Sequence, residues 1–294
     1  MMKKRWISAL LCAALVLGIL PGLAFAKGES RVTIGADLSV AQRDQVYADF
    51  NLKPGDVEEL IVTNADERRY LGGLVDEKRI GNIAISCVYI VVEEAGSGLD
   101  ITTRNIHYCT AGMYKNALLT AGITDASVMV SAPYSVSGTA ALTGIYKAYE
   151  DITGQTLSDL AKAAGAEELV VTGELAELIG SQDATELIRQ LKLILDETEK
   201  MTDDEVRGEI ERLAQEYNVE VTPGQMKQLL SLCRTLEKLD VHELQDRIVS
   251  LTETVQKANN FTNKVSEVTS NVAGAVKSFV DKIAGFFSNL FGGR

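Results

Sequence analysis

The chain is poor in the residues that most chemistry at neutral pH relies on. It has two histidines, His107 and His242, in 294 residues. That leaves little room for a histidine-rich metal site or a Ser-His-Asp arrangement. His242-Glu243 also lacks the second histidine of a zinc protease motif. No loop has the alternating Asp/Asn spacing and glycine of an EF-hand, and no segment carries the lysine and glycine spacing of a P-loop or the full glycine fingerprint of a dinucleotide site. No metal and no cofactor is therefore expected. Positive charge is scarce as well, with 29 Lys and Arg against 41 Asp and Glu and a net charge of −12. A surface of that sign repels phosphate backbones, so no nucleic-acid partner is expected. Four cysteines, Cys12, Cys87, Cys109 and Cys233, leave an odd number once the first is set aside as described next.

What is present begins with an export signal. Lys3, Lys4 and Arg5 form a basic start, an apolar run extends from Trp6 to Leu20, Pro21-Gly22 breaks it, and Ala24-Phe25-Ala26 has the small-x-small pattern of a cleavage site. Residues 1–26 are thus expected to be a signal peptide cut after Ala26, although Trp6 to Phe25 is also just long enough for an uncleaved anchor. Cleavage removes Cys12 and takes the net charge to about −15. Cys12 has no small residue just before it and does not suggest lipidation. The expected setting is secreted, extracytoplasmic or associated with the cell envelope, where disulfides form. Cys87 and Cys109 flank the turn Glu93 to Gly98. A hairpin register centred on Gly98 sets them opposite each other, either as a disulfide or as two buried thiols. Cys233 lies among Leu229, Leu232 and Leu236 and reads as core.

Patterning gives an α+β fold: a small mixed β-sheet with packed helices over 27–180, helices alone over 181–258, and an amphipathic terminal helix over 259–294. Short strands are expected at Arg31 to Gly35, Leu60 to Thr63 and Val128 to Val130, with a β-branched and aromatic hairpin at Ile83 to Val92 and Leu99 to Tyr108. Ser39 with Gln42 is a capping box, Thr110 can open a helix closed by Ala121-Gly122, and a further helix runs from Gly138 to Glu150. Glu58 to Thr63 (EELIVT) recurs as Glu167 to Thr172 (EELVVT), which suggests another strand and a sheet reaching about Gly180. Helix starts follow at Asp183 with Glu186, at Thr202 with Glu205, and at Thr222 with Pro223 and Gln225.

The stretches Met113 to Leu118, Ala121 to Ile123, Ala132-Pro133 and Val136 to Gly144, with Thr33 to Ser39 and Gly173 to Leu175, resemble a family of secreted Gram-positive proteins known as domain of unknown function 1002. The resemblance covers essentially the whole mature chain. It implies a cell-envelope setting in a Firmicute-type bacterium and carries over no catalytic residue.

Two surfaces remain as candidates. Ser135, Ser137, Gly138 and Thr139 follow a strand and open a helix, so hydroxyls and backbone N–H groups stand at a positive helix end suited to a small phosphorylated or carboxylated ligand. A plain helix cap explains the same residues. A hydrolase needs a base near this loop, and spacing identifies none. A His107/Cys109 nucleophile pair is disfavoured, because nothing in the sequence activates the thiol. The second surface is the tail. Nine apolar residues from Phe261 to Leu290 fall within a stripe of about 80°, and from Phe261 onward the charge is about +2 on an acidic chain. Docking on the protein's own helices, a membrane surface and another envelope protein are all open. The end carrying Phe279, Ile283, Phe286, Phe287, Leu290 and Phe291 is the part expected at a membrane or partner. The expected function is a non-catalytic binding or interaction module, with a secreted enzyme or small-anion binder acting through Ser135 to Thr139 as the alternative.

Overall fold

The structure is a computed structural model and describes residues 28–72 and 80–253. The signal segment and the tail residues from Phe279 to Phe291 lie outside that range. Five strands form one mixed sheet: β1 (Ser30–Gly35), β2 (Glu58–Val62), β3 (Cys87–Val92), β4 (Leu99–Ile106) and β5 (Ala126–Val136), in the order β2-β1-β3-β5-β4. The helices among the described residues are α1 (Val40–Asp49), α2 (Asn64–Leu71), α3 (Ala111–Ala121), α4 (Thr139–Thr153), α5 (Asp159–Ile179), α6 (Ser181–Leu193), α7 (Leu195–Thr198), α8 (Asp203–Glu216) and α9 (Pro223–Leu236), with a helical segment over 241–253. The fold is α+β, and its C-terminal region is helical.

Parallel neighbours need a crossover, and the chain supplies two. α1 connects β1 to its parallel partner β2, and α3 connects β4 to its parallel partner β5. β3 is antiparallel to β1 on one side and to β5 on the other. The expected hairpin of β3 with β4 is therefore not formed, because β5 stands between them. Burial explains the choice. β3 is buried along most of its length and β5 over most of its first seven residues, so both need a neighbour on each side, whereas β4 alternates and then becomes exposed, which suits an edge. The disulfide goes with the hairpin. Cys87 and Cys109 lie on opposite sides of β5, and both are free, buried thiols, as is Cys233.

One sheet face packs against α1 through Val32, Ile34, Cys87, Val46, Tyr47 and Phe50. The other carries Val88, Ile90, Val128 and Val130 into a single buried cluster that continues through α3, α4, α5 and α6 to Ile248. α4 lies close enough to the sheet that a Cβ at Gly144 would meet Thr33 Oγ1 at 2.5 Å, so glycine is required there.

The repeated hexapeptide is a second correction. Glu58 to Val62 is β2, but Glu167 to Thr172 lies inside α5, where Glu168, Leu169, Val170, Val171 and Thr172 are all buried. Gly165 and Gly173 flank the second copy, but a capping Ser158 and an alanine-rich run precede it and the helix continues through both glycines, so the helical period governs. The cap expected at Asp183 lies three residues earlier, at Gly180, with no side-chain cap bond.

Three helices meet on a buried ion pair. Lys192 of α6 and Glu168 of α5 are both without solvent contact, 2.7 Å apart. Lys192 Nζ also donates to Asn116 O at 3.1 Å and Thr120 Oγ1 at 3.2 Å on α3, and Thr120 donates to the second Glu168 oxygen. Burial pulls the ammonium below the ordinary lysine range against the attraction of Glu168. Lys192→Met strands a buried carboxylate and is expected to cost about 3–5 kcal/mol in urea unfolding, most of which returns in the double variant with Glu168→Leu. A single variant within 1 kcal/mol of wild type, on the scale of a typical exposed pair, would contradict this cross-tie.

Candidate functional site

The head of α4 brings together residues that are far apart in sequence. Gly138 occupies the cap position with φ 93° and offers no side-chain cap bond. A side chain there would be strained by φ and by contact, since its Cβ would come within 2.5 Å of Ile106 and 2.6 Å of the Tyr114 hydroxyl. Tyr114 of α3 donates to the Gly138 carbonyl at 2.5 Å and so fixes the loop from below. Thr139, the first helical residue, does not cap its own helix. Its hydroxyl donates to Glu67 Oε1 at 2.6 Å, and Ser137 Oγ lies 3.3 Å from Thr139 Oγ1.

Glu67 is the group that spacing could not identify. It sits on α2, whose start is fixed by a capping box between Thr63 and Asp66. The chain returns β2 beside β1, and α2 then carries Glu67 under the α4 head. The side chain is 1% exposed. Burial outweighs the hydrogen bonds from Thr139 and Asn64 and the charge of Arg68, and pushes the carboxyl up to about 7. The Arg68 guanidinium is directed to Asn64 Oδ1 and Gly81 O. Glu67, Ser86, Ser137, Gly138 and Thr139 line a cleft of about 160 Å³ whose remaining wall is largely apolar, with Ile80, Ile83, Ile85, Tyr134 and Val136. That is small for a ligand pocket and fits a small molecule, not a polymer.

Of the four loop residues singled out by sequence, Ser137, Gly138 and Thr139 line this cleft. Ser135 is exposed, with its hydroxyl 3.2 Å from His107 Nδ1. Cys109 is buried and its thiol is pushed up to about 12, as are those of Cys87 and Cys233, which leaves no activated sulfur nucleophile among the described residues. Among the described residues no group of three or more His, Cys, Asp or Glu is placed to hold a metal ion. A wider cavity of about 280 Å³ beside the 241–253 segment is lined by Asp125, Glu243, Asp246 and Arg247. There Arg247 is already engaged with Leu119 O and Glu243, so it offers less convergent chemistry.

Residues 34–254 match a family described as protein of unknown function (DUF1002). The chain belongs to that family. Across 297 aligned residues it is 36% identical to the uncharacterized protein YpuA of Bacillus subtilis (strain 168), covering 99% of this chain and 97% of the relative. No solved structure matches the chain. Membership in DUF1002 assigns no activity, so chemistry has to be argued from the cleft itself.

The raised Glu67 fixes the sign of a pH dependence. Between about 4.5 and about 7 the folded protein keeps a proton that the unfolded chain releases, so this contribution is full below 4.5 and is lost as pH rises through 7. The loss is about 3 kcal/mol. Glu67→Gln, which stays neutral, is expected to flatten urea stability between pH 5 and 8 and to exceed wild type at pH 8. Identical pH profiles for the two proteins would show that Glu67 is not buried as a neutral acid.

Proposed function

We propose that this DUF1002 protein is a non-catalytic binding module of the cell envelope that takes a small polar ligand in the Glu67–Thr139 cleft. The observation that carries the reading is the convergence of Ser86, Ser137, Thr139 and an α4 head without a side-chain cap on one buried carboxyl inside an apolar wall. Export through residues 1–26 and attachment through the apolar stripe of 259–294 complete the proposal, and both rest on sequence pattern. Among the described residues no helix is long and apolar enough to cross a membrane. The tail end with Phe279, Ile283, Phe286, Phe287, Leu290 and Phe291 is proposed to lie on a membrane surface. One observation favours the second reading, an enzyme: a carboxyl near 7 is poised for general acid–base work beside Ser137 and Thr139.

In native mass spectrometry, the full chain exposed to an aqueous cell extract is expected to acquire a small-molecule adduct that Thr139→Val loses. No adduct on wild type contradicts the binding reading, and conversion of the bound compound with a pH midpoint near 7 would establish the enzyme instead. For the tail, removing residues 274–294 is expected to abolish co-sedimentation with anionic liposomes with little change in thermal midpoint. Four or five buried apolar side chains at about 1.5–3 kcal/mol each are enough for such attachment. A midpoint lowered by many degrees would make the tail part of the core.

A further inference from the structure

The cleft has two poles separated by a single residue. Thr139 is the first residue of α4, so its backbone N–H and that of Ala140 stand at the positive end of a fifteen-residue helix, while its own hydroxyl is spent on Glu67 Oε1 at 2.6 Å. Gly138 supplies no side-chain oxygen to the helix head. Ser86 is a second and independent sign that the cavity is built for a polar guest. It is 4% exposed, lines the cleft, and makes no side-chain hydrogen bond within the described residues. Among the described residues the only fully buried side-chain atom without a partner is Thr33 Oγ1, so the Ser86 hydroxyl opens into the cleft, where a polar guest can take the place of water.

Neither pole is served by an ordinary ion. A lone anion at the α4 head meets Glu67 across one hydroxyl, and it must also approach a chain of net charge −12. A lone ammonium beside Glu67 meets the positive helix end. Of the groups that face Glu67, Thr139 from α4 and Asn64 from α2 donate neutral hydrogen bonds, the Cys109 thiol and the Tyr114 phenol lie near without charge, and the Arg68 guanidinium favours the carboxylate but is directed to Asn64 and Gly81, so burial prevails. A molecule bearing both an ammonium and a carboxylate on neighbouring atoms satisfies both poles at once. Because the cleft is small and walled by Ile80, Ile83, Ile85 and Val136, such a molecule has at most a short aliphatic side chain.

Resting on the binding reading above, we infer that the ligand class is a small zwitterionic α-amino acid, with its ammonium on Glu67 and its carboxylate on the α4 head and the Ser86 hydroxyl. The order of the two groups follows from the signs of the poles. Binding draws Glu67 into its ionised form and releases a proton where that carboxyl was protonated, so affinity rises from pH 5 to pH 8. An oxyanion held by a protonated Glu67 would show the reverse.

The test is isothermal titration of the full chain at pH 8 with glycine, L-alanine and D-alanine, alongside acetate, inorganic phosphate and methylammonium as single-pole probes. At least one amino acid is expected to bind more tightly than any single-pole probe and to weaken on moving to pH 5. Glu67→Gln is expected to weaken it at least about tenfold at pH 8, the scale of one lost charged hydrogen bond. Ser86→Ala removes one donor without touching the carboxyl, and it keeps the test open if the Glu67 variant folds poorly. It is expected to weaken binding by a smaller factor at both pH values. If acetate or phosphate binds as well as the amino acids and gains affinity on acidification, the class is wrong while the cleft remains a binding site. Silence of all six probes overturns the class too. The binding reading then stands or falls separately with the extract adduct.

Discussion

Lys192 and Glu168 form the constraint on which the geometry of the cleft depends. Removing two full charges from water costs several kcal/mol per ion, and the cost is offset only where the partners are fixed and all remaining hydrogen-bonding capacity is filled. Here the ammonium has three acceptors, Glu168, Asn116 O and Thr120 Oγ1, and both carboxylate oxygens are taken. The pair therefore fixes how α3, α5 and α6 sit against one another. α3 is also the crossover between β4 and β5, and from it Tyr114 holds the Gly138 carbonyl. The chain of dependence runs from a buried charge pair, through one helix, to the loop that opens α4.

At that loop the same physics has a different outcome. Glu168 is buried in direct contact with a cation, whereas the Arg68 guanidinium near Glu67 is directed to Asn64 and Gly81 and does not offset burial, so Glu67 takes the alternative response, a carboxyl held near 7. Two carboxylates of the same fold thus have two roles. One ties helices together, and the other is left with unmet electrostatic demand at a cleft wall. That unmet demand, beside a helix head and a hydroxyl with no partner, is what separates the Glu67 cleft from the roomier cavity at Arg247, where the arginine is already matched.

Much of the secondary structure was legible because it is locally encoded. Ser39 with Gln42, Thr202 with Glu205, and Thr222 with Gln225 are capping boxes in the sequence and in the fold. α2 was missed because its box uses Asp66 where the common pattern has Glu or Gln, and with it went Glu67. The signal available was Thr63-x-x-Asp66 itself. Non-local choices were not legible. The turn at Gly98 looks the same whether β3 pairs with β4 or admits β5 between them, and only the two-sided burial of β3 and β5 decides. EELIVT and EELVVT carry nearly the same local preference, and one is strand and the other helix because their surroundings differ. Ser137, Gly138 and Thr139 were found by their strand-to-helix context, but their partner arrived through topology.

The central claim is that Glu67 is a neutral acid at the wall of a ligand cleft, and its ionisation can be followed directly. Carbon-13 NMR of the full chain labelled at glutamate side-chain carboxyls, with Glu67→Gln to assign the resonance, reports that group alone. A titration midpoint near 7 is predicted for Glu67. A midpoint at the ordinary 4.5 would place the carboxylate in water or against a cation and would contradict the account of the cleft.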